Sequence, residues 1–529
     1  MFVNSEDTAN PSSDEGAPQP TGNRRRLSVI RILAVVLVVG GATAGLWYGF
    51  HDNGSDAAAA VSHSWFAPYV DVTATPQYAF EEPSGSAATS AVLAFVVSAH
   101  GAPCEPSWGS AYSLTAAADG LDLDRRVARL KQLGGEVTVS FGGAANSELS
   151  IGCTDVGKLT AAYRSVVDRY SADAIDLDIE GPVASAPAVS KRRALAIAAL
   201  STQELAAGHP VSVWLTLPVG QSGLTDEGQA VLTAMLAAKV NVAGVNGMTM
   251  DYGEPLPAGR SMADEGELAL TALQQQIQSA YSAAGTELTD SQSWQRVGAT
   301  PMIGQNDIPS EQFGLADAHQ LVAFAQLHQL GRLSMWSANR DQGCGPNYPD
   351  VHIVSDACSG VDQSTGEFAD IFREFGSGQP PQPTATSGAS ASASPSATGI
   401  IDDPATSPYP IWNVNQAYPK GTQIVWHRNV YQAKWYSQGD QPDAPVATAA
   451  QTPWTLVGPV LPGEHPAPTP TLRAGTYPQW SATAVYVAGS RVLLGGVGYQ
   501  AKWWNQGDRP GAAAVTPSDS SPWQLLTTP

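Results

Sequence analysis

The run Asp173-Ala-Ile-Asp-Leu-Asp-Ile-Glu180 sets carboxyl groups at Asp176, Asp178 and Glu180, one at every second residue. Ile175, Leu177 and Ile179 fill the gaps. On a β-strand, period-two geometry puts the three carboxyls on one face and the three aliphatics on the other. Neighbouring carboxylates repel, so at least one should keep its proton to a higher pH than usual. A carboxylic acid still protonated near neutral pH is what general acid catalysis needs. The plainer alternative is the solvated face of an edge strand. Gly181-Pro182 ends the run at the glutamate, which favours a strand end built for chemistry.

Such a set needs a scaffold. Residues 60–376 alternate apolar strand-like runs with Ala-, Leu- and Gln-rich stretches. Candidate strands are Trp65–Val72, Val92–Val97, Glu136–Phe141, Ala174–Ile179, Val211–Leu217, Val242–Met250, Val297–Ile303 and Arg332–Ser337. Between them, VGKLTAAYRSVVDRY and LALTALQQQIQSAYSAA have helical spacing. Eight strands with intervening helices predict an α/β fold, a (β/α)8 TIM barrel. A doubly wound open sheet is the rival. It lacks support because no glycine-rich phosphate loop follows the first strand.

In a barrel, active residues gather at the C-terminal ends of strands. Here strand three ends Ser140-Phe-Gly-Gly143 and strand four ends at Glu180. Strand six ends Met248-Thr-Met-Asp-Tyr252, and strand seven ends Met302-Ile-Gly-Gln-Asn306. Strand eight carries Met335-Trp336. Polar and aromatic groups thus recur at one relative position. The octet resembles the DxxDxDxE signature of glycoside hydrolase family 18, the chitinases and their relatives. Ser140-Phe-Gly-Gly143 resembles that family's SxGG motif, and Trp336 its strand-eight tryptophan. The likeness covers residues 60–376, with the motifs in order.

The resemblance implies a mechanism, substrate-assisted and retaining. Glu180 would protonate the glycosidic oxygen. The substrate's own 2-acetamido carbonyl would attack the anomeric carbon. Asp178 would orient the acetamido N–H and stabilise the positive charge. Asp176 would share a proton or hydrogen bond with Asp178. Asp251 also matches the family at strand six. The usual tyrosine before that aspartate is Met250 here. Tyr252 is the candidate replacement, although a one-residue shift on a strand reverses the face. Trp336 is the expected floor of the −1 sugar site. Asp173, Met248 and Gln305 are grouped with the substrate-contacting residues. Asp173 breaks the period-two register and is given a supporting role. Trp65, Tyr69 and Trp214 could line the cleft or pack the core. Ser140 and the two glycines should provide close packing beneath the site. About 28 residues separate Ile303 from Arg332, enough for one helix, so the cleft should be open and suited to internal cleavage.

The chain has 529 residues, 43% of them hydrophobic, with formal net charge −21. That length allows two to four domains. The acidity argues against nucleic acid or an anionic membrane surface as partner. Cys104, Cys153, Cys344 and Cys358 contain no CxxC pair, so neither zinc nor a cofactor is expected. Cys104–Cys153 and Cys344–Cys358 are the disulfides suggested by proximity. The other two pairings stay open. Arg24, Arg25, Arg26 and Arg31 precede the uncharged Ile32–Phe50, about the ~20 residues that span a bilayer. Residues 28–50 are read as a transmembrane signal-anchor or signal peptide, with 1–27 a cytoplasmic disordered tail. The remainder would be extracellular or at the cell surface, and monomeric.

Two Pro-rich linkers, 377–408 and 459–476, flank a duplicated module at 409–458 and 477–526. Trp412 and Trp480, Tyr418 and Tyr486, Tyr431 and Tyr499, and Trp435 and Trp503 all share an offset of 68 residues. The copies resemble carbohydrate-binding modules of family 5/12. Trp435-Tyr436 and Trp503-Trp504 are the candidate stacking surfaces. Trp412, Trp480, Trp454 and Trp523 are expected core, with Tyr418 and Tyr486 as a third stacking contact. The resulting expectation is an exported chitinase with two all-β binding modules. Its rivals are an endo-β-N-acetylglucosaminidase on glycans or wall polymer, a non-catalytic chitin-binding barrel, and a Ca²⁺ or Mg²⁺ site formed by the three carboxyls.

Overall fold

The computed structural model describes residues 64–82, 90–253, 256–376, 401–446, 448–466, 471–511 and 521–526. The segment 28–50 lies outside them. Among the described residues, no helix is long and apolar enough to cross a membrane.

Eight parallel strands close into a barrel. Strand one is split into Trp65–Phe66 and Tyr69–Asp71. Its first half pairs with strand eight, Arg332–Leu333, and its second with strand two, Ala91–Ala99, which closes the ring. Strands three to seven are Val137–Gly142, Ala174–Asp178, Ser212–Gly220, Val242–Met248 and Val297–Thr300. All eight expected strands are present. The octet is therefore on a central strand paired on both sides, not on an edge.

The period-two reading holds in the packing. Ile175, Leu177 and Ile179 join the large apolar layer between strands and helices. Asp176 and Asp178 face the opposite way, into the barrel. A smaller cluster of Trp65, Ala67, Tyr69, Val92, Ala94 and Trp214 fills the interior. Trp65 and Trp214 are fully buried there, so they pack core and do not line a cleft.

After strand two, an antiparallel hairpin (Ala102–Trp108 with Tyr112–Ser113) stands at the catalytic end. Cys104–Cys153 ties it to the segment beyond strand three. The second disulfide is Cys344–Cys358. One helix, Leu315–His328, and a two-strand hairpin connect strands seven and eight.

Both C-terminal copies fold alike. Each has a two-stranded and a three-stranded antiparallel sheet. Tyr418, Ile424, Tyr431, Ala433 and Trp454 fill the first core, and Tyr486, Val492, Tyr499, Ala501 and Trp523 the second. Tyr418 and Tyr486 are buried and their hydroxyls bond local backbone, so they cannot stack on a ligand. A small module without disulfides must bury its largest rings, and these are among them. Trp454 and Trp523 are buried as expected, and Trp412 and Trp480 are half-buried against the same cores. Trp435, Tyr436, Trp503 and Trp504 are exposed.

Candidate active site

Asp176 lies at the centre of a buried polar network. Its Oδ1 accepts from Arg332 Nη1 at 2.5 Å and from Thr216 Oγ1 at 2.6 Å. Its Oδ2 accepts from Ser140 Oγ at 2.7 Å and Tyr69 Oη at 2.8 Å. Asn246 closes the set, donating to Thr216 and Thr300. The Arg332 guanidinium lies over the Trp65, Tyr69 and Trp214 rings at 5.1–5.6 Å. Both Asp176 oxygens are thus committed to other partners. The expected bond between Asp176 and Asp178 is not formed, because Asp176 is paired with Arg332 instead.

Asp178, one step up the same face, is 5% exposed and its Oδ1 has no partner. Burial, then the charges of Glu180 and Asp176, hold its carboxyl well above the usual range. Glu180 follows at the strand end, half-buried, with an extended backbone that starts a short helix at Gly181. Burial, then Asp251 and Asp307, push the Glu180 carboxyl up as well. The geometry therefore stacks two carboxyls of raised pKa over a third that is paired with Arg332.

The glycines of strand three are required by close approach. A Cβ at Gly142 would stand 2.0 Å from the Asp178 carbonyl oxygen, and one at Gly143 would stand 2.9 Å from the Phe95 ring. Phe95 in turn stacks on Trp336, centroids 5.3 Å apart and planes at 22°. Tyr69 meets Trp336 edge-on at 6.0 Å. Trp336 is only partly buried. Phe95 and Arg332 belong to none of the sequence motifs. A phenylalanine within an apolar strand and an arginine opening strand eight give no signal in a single sequence.

Asp251 borders Glu180 in a left-handed conformation, φ 48°. Its Oδ1 accepts from Ile308 N at 3.3 Å, and its own N donates to Asn306 Oδ1 at 3.4 Å. Burial and Asp307 raise its carboxyl too. Met248 is buried on the inward face, two residues beyond Asn246.

Three expected site residues point elsewhere. Tyr252 packs against the outer apolar layer, its hydroxyl beside Gly266 of the helix Met262–Ala283 and without a partner. The strand ends at Met248, and the left-handed Asp251 turns the chain before Tyr252. Gln305 spends its amide on the carbonyls of Asn306, Ile308, Pro309 and Glu311 at 3.1–3.3 Å, holding the loop after strand seven. Asp173 precedes strand four, at the end opposite Glu180. There it pairs with Lys131 Nζ at 2.7 Å and accepts from Val137 N. Among the described residues, no acidic, His or Cys group forms a metal-binding cluster.

Comparison with known proteins gives a consistent set. Residues 479–524 match carbohydrate-binding module family 5/12. The chain is 34% identical over 293 residues to the "Probable bifunctional chitinase/lysozyme" of Escherichia coli (strain K12), covering 54% of this chain and 32% of that protein. It is 34% identical over 252 residues to "Endochitinase 11" of Metarhizium anisopliae, 47% of each chain. The chain thus spans about a third to a half of these relatives' length. In structure it resembles active domain 2 of a thermostable chitinase from Pyrococcus furiosus, solved with chito-oligosaccharides, with TM-score 0.51 and 28% identity. That match covers 60% of this chain and 95% of the other. The chain therefore has chitinase relatives, a chitinase neighbour in fold and a carbohydrate-binding module near its C-terminus.

Proposed function

We propose that this chain hydrolyses internal β-1,4 linkages of chitin by substrate-assisted, retaining catalysis, with its C-terminal modules holding the insoluble polymer. The observation that carries this reading is the stack Asp176–Asp178–Glu180, in which only the lowest carboxyl is paired with a buried arginine. Glu180, keeping its proton above the usual carboxyl range, donates it to the leaving glycosidic oxygen. The sugar's acetamido oxygen is the nucleophile, as the likeness to substrate-assisted glycosidases implies. Positive charge then develops next to Asp178. The buried Asp178 carboxyl, beside that charge, stabilises the intermediate more than the ground state. Glu180, now ionised, activates water from the same face. Trp336 and Phe95 supply the apolar floor.

The N-terminal segment 28–50, as an anchor or cleaved signal, would carry the enzyme out of the cell, where chitin is found. The short connection between strands seven and eight supports an open cleft and internal cleavage. The test is hydrolysis of colloidal chitin and soluble chito-oligosaccharides by the wild type and Glu180→Gln. Wild type should release a mixture of chain lengths from the outset, and the variant should lose about 10²- to 10⁴-fold in kcat while still binding oligomers. Equal activity of the two proteins, or no wild-type cleavage of either substrate, refutes this function. Initial release of dimer alone refutes the internal mode of cleavage.

A further inference from the structure

The first module, together with the start of the linker that continues its last strand Trp454–Pro459, does not stand clear of the barrel. It lies along the outer face of the helix Leu123–Gln132. Arg125, in the first turn of that helix, is only 3% exposed. Its Nη1 donates to the carbonyl of Pro459 at 2.7 Å, its Nη2 pairs with Glu464, and its Nε reaches Asp122 at 3.2 Å. Glu464 is itself held by the Leu461 backbone N–H at 2.6 Å. Further along the helix, Gln132 Nε2 donates to Asn429 Oδ1 at 3.2 Å. Gly458 permits the contact. A Cβ there would stand 2.8 Å from Arg125 Cγ and 3.3 Å from Arg129 Cβ.

The two copies of the module differ at these contact positions. Asn429 corresponds to Val497, and Gly458, counted from the paired Trp454 and Trp523, corresponds to Thr527. The core tyrosines and tryptophans are retained in both. In the second copy the same strand edge is covered by its own preceding segment, through the bridge Thr471–Val497 and the bond from Leu472 N to Gly496 O at 2.7 Å. The second copy thus keeps the core but lacks the residues that make this contact, and its corresponding strand edge is already occupied.

We propose that the helix Leu123–Gln132 is a docking surface for this chain's own first module, making barrel and module one rigid unit. The helix begins near the catalytic end, and its neighbour Arg126 pairs with Glu81 of the loop after strand one at 3.0 Å. Lys434, adjacent to Trp435, lies close enough to Glu82 of that loop to act on its charge. The exposed pair Trp435–Tyr436 therefore keeps a fixed position relative to the catalytic rim. Resting on the chitinase reading, the docked module holds the same polymer surface that the cleft is cutting.

The four native cysteines are all in disulfides, so two introduced thiols can report the docking. In the full chain, Gln132→Cys with Asn429→Cys should cross-link almost completely with a short bismaleimide. Adding Gly458→Trp, a wedge against Arg125 and Arg129, should reduce the cross-link at least fivefold. Arg125→Ala with Glu464→Ala should do the same if the wedge prevents folding. Absence of cross-linking, or cross-linking indifferent to both changes, overturns the docking whatever the substrate is. The undocked variants should lose several-fold in rate on chitin particles while keeping the wild-type rate on soluble chito-oligosaccharides. Unchanged particle hydrolysis overturns the role of docking. A wild type inactive on both substrates refutes the chitinase reading alone.

Discussion

Arg332 Nη1 stands 2.5 Å from Asp176 Oδ1, and neither side chain reaches solvent. The two residues come from strands eight and four, which lie opposite each other in the closed barrel, so their ion pair spans its interior. Three rings around the guanidinium exclude water from it. This pair explains why Asp176 has a different role from the two carboxyls above it.

Breaking such a pair leaves an uncompensated charge in a dry site. Arg332→Met is therefore expected to cost about 3–5 kcal/mol of stability, read as a lower denaturation midpoint with an unchanged slope. The double variant Arg332→Met with Asp176→Leu should be less damaging than the sum of the single changes, because neither buried charge remains. Strict additivity would show that the pair is not coupled.

The activity–pH profile should respond to Asp307, an exposed carboxylate near Glu180. A nearby anion favours the protonated form of Glu180 and raises its pKa. Asp307→Asn removes that charge, so Glu180 should ionise at lower pH. General acid catalysis uses the protonated form, present below that pKa. The high-pH limb of kcat/KM should therefore move to lower pH. A limb that stays put or moves upward contradicts the assignment of Glu180 as the acid.

The barrel and its carboxyl stack were legible in the sequence because both depend on period-two alternation, a local property. Asp176, Asp178 and Glu180 needed only a strand and a side. Arg332 and Phe95 acquire meaning only when strands four, eight, two and three are brought together, and nothing local marks them. Tyr252 and Gln305 depart from expectation for a related reason. Each sits where a strand has just ended, and beyond that point alternation no longer fixes direction. In the structure Gln305 turns to bare carbonyls and Tyr252 to a helix. Asp173 lies at the opposite end of the strand, so it has the supporting role its register suggests and does not contact substrate. The sequence periodicity of the two modules revealed their shared core. The docking of one copy was recorded only where they differ.

The disulfides should contribute unequally. Cys104–Cys153 closes a separation of 49 residues and Cys344–Cys358 one of 14. Loop-entropy reasoning gives about 4 and about 3 kcal/mol respectively, as upper values. Paired Cys→Ser variants, unfolded in urea, should show the larger loss for the first bridge. That bridge also anchors the hairpin beside the site, where a Cβ at Gly152 would meet Pro103 at 2.6 Å. Its removal should raise KM for oligomers, whereas removal of Cys344–Cys358 should leave KM less affected. The reverse order in both measurements would place the structural constraint after strand eight.

Binding and folding can be separated within the second module. Trp503 and Trp504 are 43% and 61% exposed and lie next to each other, with Lys502 Nζ 4.7 Å from the Trp503 ring. Exposed rings of this kind cost free energy in water and recover it by stacking on flat apolar faces, such as those of a pyranose. Trp523 is 1% exposed and donates its indole N–H to Asp508 O at 2.7 Å. Trp503→Ala with Trp504→Ala should leave the thermal transition of the chain unchanged and weaken adsorption to chitin particles several-fold. Trp523→Ala should instead melt the module, at a cost of about 3–5 kcal/mol, and abolish its adsorption as a consequence. Soluble oligomer hydrolysis should be unaffected in both. If the exposed pair can be removed without loss of adsorption, the binding face of this module lies elsewhere on its surface.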